Sequence, residues 1–260
     1  MENWTLVLAE GAYAIDPVAH DVAARAREAE ADGFEVVCVA PSAALGLDDE
    51  LARAWLDGAL ELPRPFRAWA AADDPELLAE ALDRGAIGLE LSAAELAAPG
   101  GLDRLAPLLE VLDAGRRPVL VHPGPPGAVA GRPDWWTPVV PYVAQLHAAW
   151  WAWADGGRER FPHLPVCFAA LAGLGPLHGE RHRARGGVGS VVDPLTFVET
   201  SSYGTRAVDA TIRVLGIDVV CFGSDRPYAQ PAVPDLDDAA RYAIDSRNPE
   251  RLLSLSEVPA

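Results

Sequence analysis

The sequence predicts an α/β fold: a (β/α)8 barrel of the TIM type, formed by one domain over residues 1–260. Three observations predict it. Short apolar runs recur along the chain, and most are followed by a helix-like stretch. The runs are continuous rather than alternating, as parallel strands are when both faces are buried. The length of 260 residues, half of them hydrophobic, suits a single large barrel with a sizeable core.

Taken in order, the chain opens with WTLVLAEGAY (4–13) and then EVVCVA (35–40), which runs into Pro41 and Ser42. FRAWAAA (66–72) follows, and then DPELLAEALDRG (74–85), an amphipathic helix. AIGLELS (86–92) carries Glu90 near its end. In GLDRLAPLLEVLDAG (101–115), Leu102, Leu105, Leu108, Leu109 and Leu112 fall on one helix face, and Gly115 stands where a C-cap is expected. PVLVH (118–122) ends on His122. PVCFAAL (165–171) ends on Leu171, and TFVET (196–200) leads into Ser201, Ser202 and Tyr203. VVCFGSD (219–225) ends on Asp225. Barrel chemistry sits where strands end at their C-terminal face. A charged residue closing an apolar strand is therefore expected in the mouth and not in the core.

Composition excludes several classes. The net charge of −17 repels nucleic acid and anionic membranes, so neither is expected as a partner. The sequence shows no long apolar span and no basic-then-apolar leader, which gives the expectation of a cytoplasmic protein. All 21 basic residues are Arg. Without Lys there is no Schiff-base catalyst, no P-loop lysine and no carbamylated lysine bridging metals. Cys38, Cys167 and Cys221 each lie in an apolar run and read as reduced core thiols.

VLVHPG, FPHLPVCFAALAG, FVETSSYG and CFGSDRPY, in that order, resemble the amidohydrolase-related group that includes the aromatic-acid decarboxylases, and RNPERLL is similar to its usual last helix. The likeness runs from about residue 35 to 255. It implies a barrel holding one divalent metal, often zinc, at its mouth. It also implies a hydrolase or a non-oxidative decarboxylase acting on a small organic acid, lactone or amide. Carried over by position, His122 and Asp225 match metal ligands, and Asp225 matches the base that orients or deprotonates the metal-bound water. Two usual ligand positions are not matched. Leu171 stands where the family has His, and the His-x-His that ends the first strand is absent. Glu10 is a substitute candidate in the first case that WTLVLAEG is the first strand. In the second case WTLVLAEG is a hairpin, and the true first strand is atypical or missing. Three readings stay open: an enzyme with a rearranged or metal-free site, a binding or scaffold barrel without chemistry, and a truncated chain with an incomplete metal site.

Around this centre, Thr200, Ser201, Tyr203 and Arg226 are candidates for substrate binding, with Glu199 beside them. His178 and His182 stand at i, i+4 among Arg181, Arg183 and Arg185, a spacing that reads as a solvated helix rim. Of the two, His178 is placed better to reach the mouth. His147 reads as a helix residue, and His20 and His163 as turn residues. The loop GPPGAVAGRPDWWTP (124–138) follows His122 directly and has the length of a lid. Its Trp135 and Trp136 either roof an apolar or aromatic small-molecule substrate, or anchor the loop and cover a subunit interface, such as that of a homodimer.

Overall fold

The computed structural model describes residues 2–4, 6–9, 12–15, 21–41, 49–127 and 130–253. Eight parallel strands form the barrel wall. They are β1 (Glu2–Trp4), β4 (Val37–Pro41), β5 (Phe66–Ala68), β6 (Leu89–Ser92), β7 (Val119–His122), β8 (Val166–Phe168), β9 (Thr196–Glu199) and β10 (Val220–Cys221). Each pairs with the next in parallel register, and a single bridge from Ala70 to Leu89 joins β5 to β6. Among the described residues no ladder joins β10 to β1. The Phe222 N–H, just past β10, donates instead to the Ile244 carbonyl at 3.0 Å.

The first apolar run is divided between two structures. β2 (Leu6–Ala9) and β3 (Ala12–Ile15) form an antiparallel hairpin, and the parallel first strand is the short segment before it. The hairpin alternative therefore describes residues 6–9 and 12–15. The first strand is atypical in being three residues long, and it is present.

Local chemistry sets the helices between strands. Asp74 caps the helix Pro75–Asp83 by accepting from the N–H groups of Glu76 and Leu77, with Pro75 at the first position, where no amide is needed. The helix Gly101–Gly115 buries Leu105, Leu108, Leu109 and Leu112. Its left-handed terminating step falls on Arg116 (φ 50°) and not on Gly115, because the Arg117 N–H reaches back to the Leu112 carbonyl.

Strand alternation sorts the side chains into two sets. Phe168 meets Trp150 edge-on, and the Trp153 indole donates to Thr196, so this set faces the helices. The opposite set includes Glu90, Leu120, Cys167, Phe197, Glu199 and Cys221, which face the barrel axis. The three cysteines are free thiols. Burial pushes Cys38 up to about 11, and Cys167 and Cys221 upward as well. The closing helix Asn248–Leu253 is locked by the buried Asn248, whose amide donates to the carbonyls of Ile217 (2.8 Å) and Val220 (2.7 Å).

Candidate functional site

Parallel strand direction places His122, Thr200 and Asp225 at one end of the barrel, the end where the chemistry of such folds is found. Two neighbourhoods make up the described part of this mouth.

The first lies at the ends of β6 and β7. Glu90 and His122 project from adjacent strands to the same side. His122 Nδ1 lies 3.1 Å from the Pro123 carbonyl oxygen and 3.3 Å from Glu90 Oε1. A carbonyl only accepts, so this contact puts the proton on Nδ1 and leaves the lone pair on Nε2. Burial lowers His122 to about 4, so the imidazole is neutral at pH 7. Burial also holds the Glu90 carboxyl well above the ordinary carboxylate range, which favours its protonated form. Glu90 Oε1 is buried and lies within ion-pair distance of Nδ1 without forming a well-aligned hydrogen bond.

The second lies at the ends of β9 and β10. Glu199 is 2 % exposed. Its Oε1 accepts from the Ala170 N–H at 2.5 Å, and its Oε2 accepts from the Ser201 N–H at 3.0 Å and the Ser201 hydroxyl at 2.6 Å. Gly223 is obligatory beside it, since a Cβ there would lie 1.5 Å from Glu199 Oε2. The Thr200 hydroxyl accepts from the Gly223 N–H at 3.0 Å and ties the two strand ends together. Asp225 adopts a left-handed conformation (φ 55°) and accepts a hydrogen bond from the Ser202 hydroxyl.

The sequence candidates separate accordingly. Thr200 and Ser201 stand at the mouth, with their polar atoms bonded to the neighbouring backbone and to Glu199. Tyr203 is half-buried against the core. Arg226 is turned away. Its guanidinium grips Asp32 through two nitrogens at 3.1 and 3.3 Å and reaches Glu28 at 3.2 Å, so it ties the β10 loop to the first helix and does not face a ligand. His178 is exposed, and its ring packs 5.0 Å from that of His147, on the flank of the barrel. Trp136 carries the Arg132 guanidinium over its ring at 4.2 Å, whereas Trp135 is 57 % exposed. Glu10 lies outside the described residues, as do Ser42 and His20. Glu90 was visible in the sequence near a strand end. Its pairing with His122 was not, because it depends on the β6–β7 register.

Leu171 is fully buried, in a left-handed turn that runs from Ala170 to Leu174 with φ between 45° and 59°. It occupies the position where the resemblance expects a third ligand, and its side chain offers no donor. Among the described residues no group of three or more His, Cys, Asp and Glu is placed to hold a metal ion. The described donors, one imidazole and one carboxylate that already accepts from Ser202, do not make up the set a mononuclear zinc needs.

No family model matches the sequence, and no curated protein does. Solved structures do match the fold. A 2,6-dihydroxybenzoate decarboxylase from Rhizobium matches with a TM-score of 0.69 at 19 % identity, over 89 % of this chain and 88 % of that one. A dihydroxybenzoic acid decarboxylase from Polaromonas sp. JS666, solved with manganese and 2-nitroresorcinol, matches with a TM-score of 0.71 at 20 % identity, over 90 % and 86 %. An amidohydrolase II matches with a TM-score of 0.73 at 16 % identity, over 90 % and 88 %. The chain therefore has the barrel fold of the amidohydrolase-related proteins, decarboxylases among them.

Proposed function

We propose that the chain is an enzyme working at the barrel mouth, a non-oxidative decarboxylase of a small organic acid. Hydrolysis of a C–N, ester or lactone bond is the alternative chemistry at the same residues. The observation that carries this reading is the Glu90–His122 pair. A buried carboxyl and a part-buried imidazole lie 3.3 Å apart at a strand end, where apolar side chains would pack at lower cost. Their neutral forms leave a proton on the carboxyl and a lone pair on Nε2. Decarboxylation requires the first of these. The bond from carbon to the carboxylate breaks, CO2 leaves, and the electron pair left on carbon takes a proton, so that R–COO⁻ and H⁺ give R–H and CO2. A poorly solvated mouth favours that direction, because a charged carboxylate becomes neutral gas. Glu90 is the proton source next to the reacting carbon. His122, 3.3 Å from Glu90, relays the replacement proton from solvent. Asp225 fixes or deprotonates a hydroxyl on the substrate, and the exposed Trp135 covers an aromatic ring. The Polaromonas decarboxylase of similar fold was solved with manganese, and a divalent metal at such a mouth would supply electrostatic stabilisation. The described residues do not fit that metal, and no step here runs through it.

The hydrogen-bonded β9–β10 side, with Leu171 filling the third ligand position, favours a second reading: a barrel that binds without chemistry. Incubation with a panel of carboxyl-¹³C-labelled aromatic acids separates the two. Release of labelled CO2, lowered by His122→Gln by roughly 10²–10⁴ as general acid–base groups contribute, is the expected result. Acids that bind without losing CO2, together with inert lactones and amides, would establish the second reading.

A further inference from the structure

On the outer flank of the barrel a groove of about 630 Å³ opens between the helix Pro141–Ala154 and the segment Ala170–Ala184. Its lining holds His147, Trp151, His178, Arg181, His182 and Arg185, and no carboxylate among the described residues. On a chain of net charge −17 this is an inversion of the local field. Among the described residues neither the Arg181 nor the Arg185 side chain has a hydrogen bond or an ion pair. Elsewhere Arg158, Arg226 and Arg247 are each tied to carboxylates.

The groove is also ordered. The His182 ring lies tilted against Trp151, 4.7 Å between centroids, and rests against Gly187, where a Cβ would come within 2.1 Å of its Nε2. His147 packs edge-on to His178 at 5.0 Å and bonds to the Gly173 backbone. Burial and the neighbouring His178 both hold His147 below the ordinary imidazole range, in keeping with a setting that has no negative partner.

We infer that this groove is a binding site for a small oxyanion, a phosphate or carboxylate group, gripped by Arg181 and Arg185 with the His178 and His182 imidazoles as further donors. Two unpaired planar guanidinium forks on one wall suit such a group, since each offers parallel N–H donors to paired oxygens. These two imidazoles, each packed against a neighbouring ring, add donors at little further loss of side-chain freedom. The site is separate from the mouth, and its occupancy does not depend on the reaction proposed there.

The test is calorimetric titration of the full chain at low ionic strength with inorganic phosphate and, separately, benzoate. Saturable binding of at least one anion is expected, weakened tenfold or more in the Arg181→Gln/Arg185→Gln double variant and unchanged in Arg206→Gln, an exposed arginine on another helix. Which anion binds tells phosphate from carboxylate. A second measurement needs no variant: phosphate or benzoate should slow phenylglyoxal modification of Arg181 and Arg185, read by mass spectrometry. Absence of saturable binding overturns the assignment. So does equal weakening by Arg206→Gln, or modification of Arg181 and Arg185 at the same rate with and without either anion.

Discussion

Two buried glutamates flank the mouth, and their surroundings are opposite. Glu199, at the end of β9, accepts three hydrogen bonds, two from backbone amides and one from Ser201. Glu90, at the end of β6, has a buried Oε1 with no hydrogen bond and an imidazole 3.3 Å away. The first carboxylate is fully used in holding the β8 turn and the β9 end in place. The second is pushed by burial toward its protonated form, and its Oε1 has no hydrogen bond that ties it to the fold. A satisfied buried carboxylate braces a fold, and an unsatisfied one beside a neutral histidine is available for chemistry.

The largest effect expected from breaking this contrast is on turnover. Asp225→Asn keeps the left-handed backbone, which Asn tolerates, and keeps an acceptor for Ser202, but it removes the charge. Activity should fall by roughly 10²–10⁴ with the melting curve almost unchanged. A variant that melts early yet keeps its turnover per folded molecule would assign Asp225 to the bracing side with Glu199.

Next in size is a stability effect on that side. Glu199→Ala leaves the part-buried Ala170 and Ser201 amides without their acceptor, and a fully buried donor left unpaired would cost about 1–3 kcal/mol. Urea denaturation should show a loss of about 1–3 kcal/mol. Glu90→Gln, which removes no aligned hydrogen bond at Oε1, should shift the midpoint far less. Equal losses in the two variants would erase the contrast.

The pH dependence sharpens it further. Glu90 binds its proton more tightly folded than unfolded. Its contribution to stability is therefore complete below the unfolded value near 4.5 and is lost as pH rises toward the raised folded value. His122 is lowered from 6.5 to about 4, so its contribution is present above 6.5 and is lost as pH falls toward 4. In stability–pH curves, the advantage of the wild type over Glu90→Gln should shrink as pH rises above about 4.5. Its advantage over His122→Gln should shrink as pH falls from 6.5. Parallel curves would mean that neither group is shifted by folding.

The smallest expected signal is in metal content. With Leu171 in place of a donor, purified protein should carry well under one equivalent of zinc after dialysis against chelator. A stoichiometric ion that survives would place the missing ligands outside the described residues, with Glu10 the first to replace.

The strands, their parallel order and the end of the barrel that carries polar side chains were legible in the sequence. Continuous apolar runs closed by His122, Thr200 and Asp225 leave few other arrangements. Arg226 shows the limit of that reading. Its neighbour Asp225 sits at the mouth, yet one residue further the chain turns outward, and the guanidinium meets Asp32 and Glu28, nearly 200 positions earlier. Sequence spacing cannot show such a pair. The same holds for the first apolar run, whose 3-residue parallel strand and hairpin are separated by pairing partners and not by composition.

By itself, then, the sequence determined the alternation of strand and helix, the acidic surface, the absence of lysine chemistry and the lack of a donor at Leu171. All of these follow from residue type and local periodicity. Only the tertiary structure decided that Glu90 meets His122, that Glu199 is a brace, and that His147, His178 and His182 share a groove with two unpaired arginines. Those facts depend on register between strands and on packing between distant helices, where burial decides whether a polar group is bonded, protonated or free to act.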